Sequence, residues 1–312
     1  MNFNDIYKIR IFGSRFLKSV VFSTMIFEFS ACASVSRVPS KPLRPGFEIQ
    51  GHRGARAMMP ENTLPAFEYA LNAGVDVLEL DVGVTADDQL VVSHDRRVDT
   101  AICRKHSFDH ERSGPLIRSL TLEQIREYDC GSYRNRRFPS QLLIPGTRMP
   151  LLAEVFDLIQ NSTNPWANNI GFNIETKIDE DHPSDTVAPV VFVNLLVKLI
   201  ESRGLESRVV IQSFDFRTLR LVKSQYPKIR ISALVDSKSL DYADLIKDLG
   251  PDIISPNYRK IDKGKIELIQ SFGIRVIPWT VNKRSDWVQL IDDGVDGIIT
   301  DDPKPLVESL RK

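Results

Sequence analysis

Val77-Leu78-Glu79-Leu80-Asp81-Val82 decides how the rest of the chain is read. Its aliphatic residues flank both acids, as in a strand covered on both faces. Glu79 and Asp81 lie two apart, so their side chains leave from one face of that strand. Burying two unpaired carboxylates together is costly, and a divalent cation is the most economical partner for them. Upstream stand Gly51-His52-Arg53-Gly54 and Pro60-Glu61-Asn62-Thr63, followed by an amphipathic run; downstream stands Leu90-Val91-Val92-Ser93-His94-Asp95. The order is strand, turn, helix, strand, strand, with reactive side chains where strands end. His52 and His94 add two groups that titrate near neutrality.

Outward from this block, short apolar runs alternate with helical patterns. The expected strands are 47–51, 75–82, 170–175, 209–213, 229–234, 252–255, 275–279 and 297–300; helical periodicity marks 64–72, 152–160, 190–202, 216–225, 240–249, 263–271 and 286–292. Eight strands alternating with helices predict an α/β TIM (β/α)8 barrel, a fold that commonly fills about 250 residues. A doubly wound open sheet is the alternative, but no Gly-rich dinucleotide fingerprint follows the first strand, and chemically suggestive residues follow at least five strands. Residues 96–148 interrupt the alternation, with only Leu120–Tyr128 helical in pattern. So long an irregular connection after His94 predicts a small insertion capping the C-terminal mouth of the barrel.

Asn173-Ile174-Glu175-Thr176-Lys177 brings a third acid to a strand end. Glu79, Asp81 and Glu175 form an all-oxygen set suited to one divalent cation, Ca²⁺ or Mg²⁺, rather than zinc. Arg53 and Lys177 supply positive charge for a phosphodiester anion. His52 and His94, from adjacent strands, could stand on opposite sides of a phosphorus as acid and base. His106, His110 and His182 fall in loops and take no role.

The chain of 312 residues has 41 basic and 41 acidic residues, so no global field marks a nucleic-acid binder. The basic cluster Arg134-Asn135-Arg136-Arg137 reads as a solvated loop. Residues 1–32 have the layout of an export signal: Lys8, Arg10, Arg15 and Lys18 precede the apolar run 20–29, which ends in Ser30-Ala31-Cys32. Phe29-Ser30-Ala31-Cys32 resembles a bacterial lipoprotein box, which would lipidate Cys32 and place the protein in the periplasm or cell envelope. An uncleaved anchor is the alternative; either would be the protein's one membrane contact. Residues 33–46, with Pro39, Pro42 and Pro45, read as a Pro-rich tether, and 47–312 as the barrel. In an exported chain Cys103 and Cys130 can pair, closing a loop worth roughly 3.5 kcal/mol of chain entropy; two unpaired thiols are the other reading.

His52-Arg53-Gly54, Glu61-Asn62-Thr63, Glu79-Leu80-Asp81 and His94-Asp95, in this order and spacing, resemble the signature of the glycerophosphodiester phosphodiesterase family, with weaker similarity to the C-terminus. The resemblance implies a TIM barrel and a metal-dependent enzyme. It would hydrolyse small-molecule glycerophosphodiesters to sn-glycerol 3-phosphate and an alcohol, with His52 and His94 as the catalytic pair. It further implies Glu61 as a ligand or supporting acid and Asn62 as a weaker site residue, although Asn62 or Thr63 should also cap the following helix. Gln212-Ser213-Phe214-Asp215 is similar to the family's Ser-Phe segment and would shape the mouth. Trp279-Thr280-Val281-Asn282 is similar to its Trp-Thr-Val-Asn, so Trp279 would pack either against a glycerol backbone or in the rim. Thr300-Asp301-Asp302-Pro303 reads as structural. The insertion, with Asp129-Cys130-Gly131-Ser132, Phe138-Pro139 and Met149-Pro150-Leu151-Leu152, resembles that of the periplasmic branch. Two rivals stand beside this expectation: a lysophospholipase D or sphingomyelinase D-like activity on lipids, and a non-catalytic envelope binding protein. The second would have lost at least one of His52, His94, Glu79, Asp81 or Glu175, and none is missing.

Overall fold

The computed structural model describes residues 39–105 and 114–311. The export signal, Cys32, His106 and His110 lie outside the described residues, and among the described ones no helix is long and apolar enough to cross a membrane. The chain starts with β1 (Glu48–Gly51), α1 (Leu64–Ala73) and β2 (Val77–Val84), then turns back as β3 (Leu90–Val92). Beyond α2 (Leu122–Ile125) and α3 (Leu152–Gln160) come β4 (Gly171–Thr176), α4 (Pro189–Ser202), β5 (Val209–Ser213) and α5 (Phe216–Gln225). Then follow β6 (Arg230–Val235), α6 (Tyr242–Leu249), β7 (Ile253–Pro256), α7 (Lys263–Ser271), β8 (Arg275–Val276), α8 (Arg284–Asp293), β9 (Gly297–Thr300) and α9 (Pro303–Leu310).

All strands but β3 pair in parallel, in the order β8-β7-β6-β5-β4-β2-β1-β9. The ends of that path meet through backbone N–H groups of Asp296, Ile299 and Val281, which donate to the carbonyls of Val276, Pro278 and Ile299 at 2.8, 3.1 and 2.9 Å. The result is a nearly closed (β/α)8 barrel, as the alternating pattern predicts. The eighth strand is shorter than expected because Pro278 has no N–H to continue a ladder. Even so, Ile277 and Trp279 still donate to Ile254 and Pro256 at 3.1 and 3.0 Å.

The period of two along each strand builds two cores. Leu78, Leu80, Phe172 and Ile174 face the helices and pack with Phe67, Phe156 and Phe192, all fully buried. Truncating any one of these phenylalanines would cost about 3–5 kcal/mol. The other face fills the barrel lumen: Val210, Ile253, Ile277 and Ile299 form an apolar plug, with Trp279 packed against it. Beside the plug lies a polar layer, in which the Asn173 amide donates to Gln50 and Gln212 at 2.9 Å each. One step nearer the C-terminal end, the register sets Asp81 beside Glu175 and Glu175 beside Gln212.

β3 departs from the expectation that His52 and His94 follow adjacent strands, because β2 lies between β1 and β3. It pairs antiparallel with β2, outside the eight. The insertion follows it and has its own core of Val91, Val98, Ile117, Leu120, Ile125, Tyr128 and Met149, tied by a Cys103–Cys130 disulfide. The expected helix over 120–128 shrinks to Leu122–Ile125, capped by a reciprocal Thr121–Gln124 box. It stops because Tyr128 and Cys130 turn into the cap core and Asp129 exchanges backbone hydrogen bonds with Arg104. The last tether residues are also bonded: Ser40 and Lys41 N–H donate to Asp292, and Arg44 pairs with Asp296 at 2.7 Å.

Candidate active site

The turn after β1 carries His52, Arg53 and Gly54. Gly54 has a φ of 81°, and a Cβ there would meet the Ala66 backbone at 2.6 Å, so only glycine lets α1 approach so closely. Arg53 is itself left-handed, at φ 51°. That geometry, uncommon outside glycine, aims its backbone N–H at Glu79 Oε2, 2.9 Å away. Asn62 is left-handed too, and its amide donates to Asp81 at 2.8 Å. Neither Asn62 nor Thr63 therefore caps α1, contrary to expectation: the Asn62 amide is engaged by Asp81 and the Thr63 hydroxyl by the Pro60 carbonyl.

Glu79, Asp81 and Glu175 are all buried, and each offers an oxygen within 4.8 Å of the other two. Burial, then the neighbouring charge of Asp81, pushes the Glu79 carboxyl well above its usual range. Glu175 is also raised by burial, partly opposed by Lys177. Burial works against the charge of Asp81 as well, but His94, Lys177 and Arg53 outweigh it and hold that carboxyl low. Asp81 Oδ1 is buried without a hydrogen bond, Lys177 Nζ being 3.6 Å away. Three crowded carboxylates, two of them reluctant to ionise and one with an unpartnered oxygen, fit a hard dication. Gln212 orients the group by donating to Glu79 Oε1 at 2.7 Å.

His52 lies at the edge of this trio, with Nε2 3.9 Å from Glu79 Oε2. Burial, then the nearby Arg56 charge, pushes its imidazole down to about 4, against the opposing pull of Asp301. Its Nδ1 is 2.6 Å from Asp301 Oδ1, and Asp301 also accepts from Arg56 and from Asn282, each at 2.6 Å. Asp301 thus contacts an imidazole rather than only closing the last strand. Sequence reasoning missed this role, and Arg56 with it. An acid ending the strand beside β1 was the available signal.

His94 stands apart, its side chain 34% exposed and its Nδ1 2.7 Å from Asp95. It nevertheless lines the same cavity of about 170 Å³ as His52, Arg53, Glu79, Glu175 and Trp279. Lys177 pairs with Glu175 at 2.7 Å and lines an adjoining open groove of about 590 Å³. Glu61 lies outside the carboxylate trio: it pairs with Arg53 at 2.5 Å and accepts from Asn135 of the cap at 3.2 Å. Trp279 donates its indole N–H to the Ser255 carbonyl at 2.8 Å and meets Phe214 edge-on, leaving it half-buried at the cavity wall. His182 pairs with Asp179 on the surface.

This geometry has parallels among known proteins. Residues 52–305 match the family model for the glycerophosphoryl diester phosphodiesterase family. A glycerophosphodiester phosphodiesterase of Caldanaerobacter subterraneus subsp. tengcongensis is 33% identical over 264 residues, covering 85% of this chain and 98% of that protein. The crystal structure of a Silicibacter pomeroyi protein assigned as a glycerophosphoryl diester phosphodiesterase superposes with a TM-score of 0.78 at 29% identity, over 88% of this chain and 95% of that one. An Oleispira antarctica phosphodiesterase, solved with the product sn-glycerol-3-phosphate, shares the fold at a TM-score of 0.69 and 21% identity, over 85% and 97% of the two chains. The chain belongs to the glycerophosphoryl diester phosphodiesterase family and is an enzyme of that class, a phosphoric diester hydrolase.

Proposed function

We propose that the chain hydrolyses free glycerophosphodiesters, such as glycerophosphocholine or glycerophosphoethanolamine, to sn-glycerol 3-phosphate and an alcohol, using one Ca²⁺ or Mg²⁺. The carrying observation is the buried trio of Glu79, Asp81 and Glu175 within 4.8 Å, set beside two histidines in one cavity. A dication held by these three carboxylates supplies Lewis-acid stabilisation for the charge that builds on the phosphoryl oxygens. With His52 Nδ1 bonded to Asp301, Nε2 is the nitrogen left to exchange a proton. His94 enters from the cap side, so the pair flanks the bound diester: one takes a proton from the incoming oxygen and the other gives one to the departing alcohol. Arg53 and Lys177 hold the phosphate, Glu61 and Asn62 fix Arg53 and Asp81, and Trp279 offers an apolar wall to the glycerol carbons.

A lysophospholipid is the second substrate class; Phe214, 47% exposed, offers an acyl chain one apolar contact in the open groove beside the cavity. The rest of that groove is lined mostly by charged side chains, which favours the soluble diester. Export to the periplasm or envelope accompanies this reading, supported by the Cys103–Cys130 disulfide and by the layout of residues 1–32, with Cys32 as the lipidation site. Product analysis on the purified enzyme tests the reaction, with soluble diesters and lysophospholipids as substrates and each metal supplied after chelation. The expected result is sn-glycerol 3-phosphate from the soluble diesters, abolished by EDTA and restored by Ca²⁺ or Mg²⁺. Full activity in the chelated enzyme removes the metal from the mechanism, and turnover confined to lysophospholipids replaces the substrate.

A further inference from the structure

Arg53, Arg56 and Arg137 line the catalytic cavity, and Lys177 lines the adjoining groove where it meets Glu175. Three are already paired. Arg53 holds Glu61 at 2.5 Å and Asp81 at 3.4 Å, Arg56 holds Asp301 at 2.6 Å, and Lys177 holds Glu175 at 2.7 Å. Arg137 differs. Among the described residues its guanidinium has neither a hydrogen bond nor an ion pair; its backbone N–H alone is bonded, to Asn135 at 3.1 Å.

The cap holds Arg137 in place from both sides. Before it, Asn135 donates to Glu61, the acid that fixes Arg53. After it, the Phe138 ring lies 5.0 Å from the Arg56 guanidinium, and Gln141 donates to the carbonyls of Arg56 and Met59 at 2.8 and 3.0 Å. The Leu142 N–H adds a bond to the Met58 carbonyl at 2.8 Å. These contacts clamp the segment onto the loop that carries His52 and Arg53, so the basic cluster of residues 134–137 is not simply a solvated loop.

We propose that Arg137 is a phosphate-binding residue supplied by the cap, engaging the non-bridging oxygens of the diester and, after hydrolysis, the phosphomonoester. This deepens the reaction proposed above and rests on it. Asp99 feels the charge of Arg137 but forms no ion pair with it, so the guanidinium gains charge-assisted, fork-shaped hydrogen bonds to phosphate without surrendering an existing pair. Arg53 and Arg56 would have to share theirs. The phosphomonoester carries more negative charge than the diester, so the loss of Arg137 should show most clearly in product affinity.

The test compares wild type, Arg137→Gln and Arg137→Lys with the divalent cation present. Calorimetry gives the Kd for inorganic phosphate and for sn-glycerol 3-phosphate; steady-state kinetics on glycerophosphoethanolamine give KM and kcat. Arg137→Gln should weaken both anions about 10- to 100-fold, the loss of a charge-assisted bond, and raise KM more than it lowers kcat. Arg137→Lys should recover part of the affinity, and because the side chain is exposed, neither variant should shift the unfolding temperature. Unchanged phosphate affinity in Arg137→Gln overturns the assignment, as does a defect seen only with diesters whose alcohol is itself anionic. Wild-type protein that binds phosphate through Arg137 yet turns over no diester supports the anion site and overturns the reaction.

Discussion

His52 and His94 share a cavity but belong to two different kinds of structure. His52 ends a barrel strand, is 9% exposed and is held by Asp301, which Arg56 and Asn282 hold in turn. His94 follows a hairpin strand outside the eight, and among the described residues its only hydrogen bond is to its neighbour Asp95. Barrel closure fixes the first histidine through residues 249 positions apart; the second depends on a small local core and one disulfide. Local openings are governed by the stability of the unit that opens, so the cap should open at lower free energy than the barrel. The site is thus half rigid and half adjustable.

Replacing each histidine is the severest way to probe that division. His52→Asn and His94→Ala should each cut kcat by about 10²- to 10⁴-fold, the usual worth of a positioned acid or base. His94→Ala should leave thermal unfolding within about 0.5 kcal/mol, being partly exposed. His52 adds a pH signature. Its folded value, about 4, lies below the 6.5 of the free group, so the unfolded chain binds more protons between those values. Stability should therefore fall as pH drops through that window, by at most about 1.4 kcal/mol per pH unit, and His52→Asn should flatten the slope. Denaturant titrations at several pH values read this directly.

Removing the disulfide, as Cys103→Ala with Cys130→Ala, should cost the cap roughly 3 kcal/mol. Hydrogen exchange should show the loss over the cap segments and spare β4 to β7; equal loss in both would erase the distinction between the two regions. Asp301→Asn keeps the shape but removes the charge that orients His52, and should lower kcat about 10- to 100-fold, as outer partners of catalytic groups commonly do. The gentlest change is Phe138→Ala, which removes the ring over Arg56 and should cost about 0.5–1 kcal/mol of cap docking. Docking unaffected by that change would mean Gln141 and Leu142 alone hold the cap to the barrel.

Much of this was legible in the chain because it is local. The alternating runs gave all eight barrel strands, and the spacing of Glu79 and Asp81 put two carboxylates on one face. Their meeting with Glu175 follows from a parallel register that a strand-by-strand reading can anticipate. Asp301, Arg56 and Arg137 were not legible as site residues. The first two matter only once β9 returns to lie beside β1, and the third only once the cap folds back over that loop. The shortened eighth strand had a local cause, Pro278, that strand periodicity overlooks. Glu61, expected by resemblance as a ligand or supporting acid, stands outside the trio and pairs with Arg53, so it is the supporting part of that expectation that fits the geometry.

One feature of the hairpin reaches beyond catalysis. The insertion departs from the barrel at Val92 and returns at Pro150 and Leu151, where Val92 N–H bonds the Pro150 carbonyl at 2.8 Å and Val91 bridges Leu151. Exit and entry are adjacent, like the two ends of a drawer pull. A segment mounted in this way can vary in length with little change to where its two ends leave β3 and enter α3, although Ile117 packs against Gly83 of β2 and Leu120 accepts from the Ala86 N–H. Changes within it would reach the site only through the few residues that touch the loop after β1, namely Asn135, Arg137, Phe138, Gln141 and Leu142.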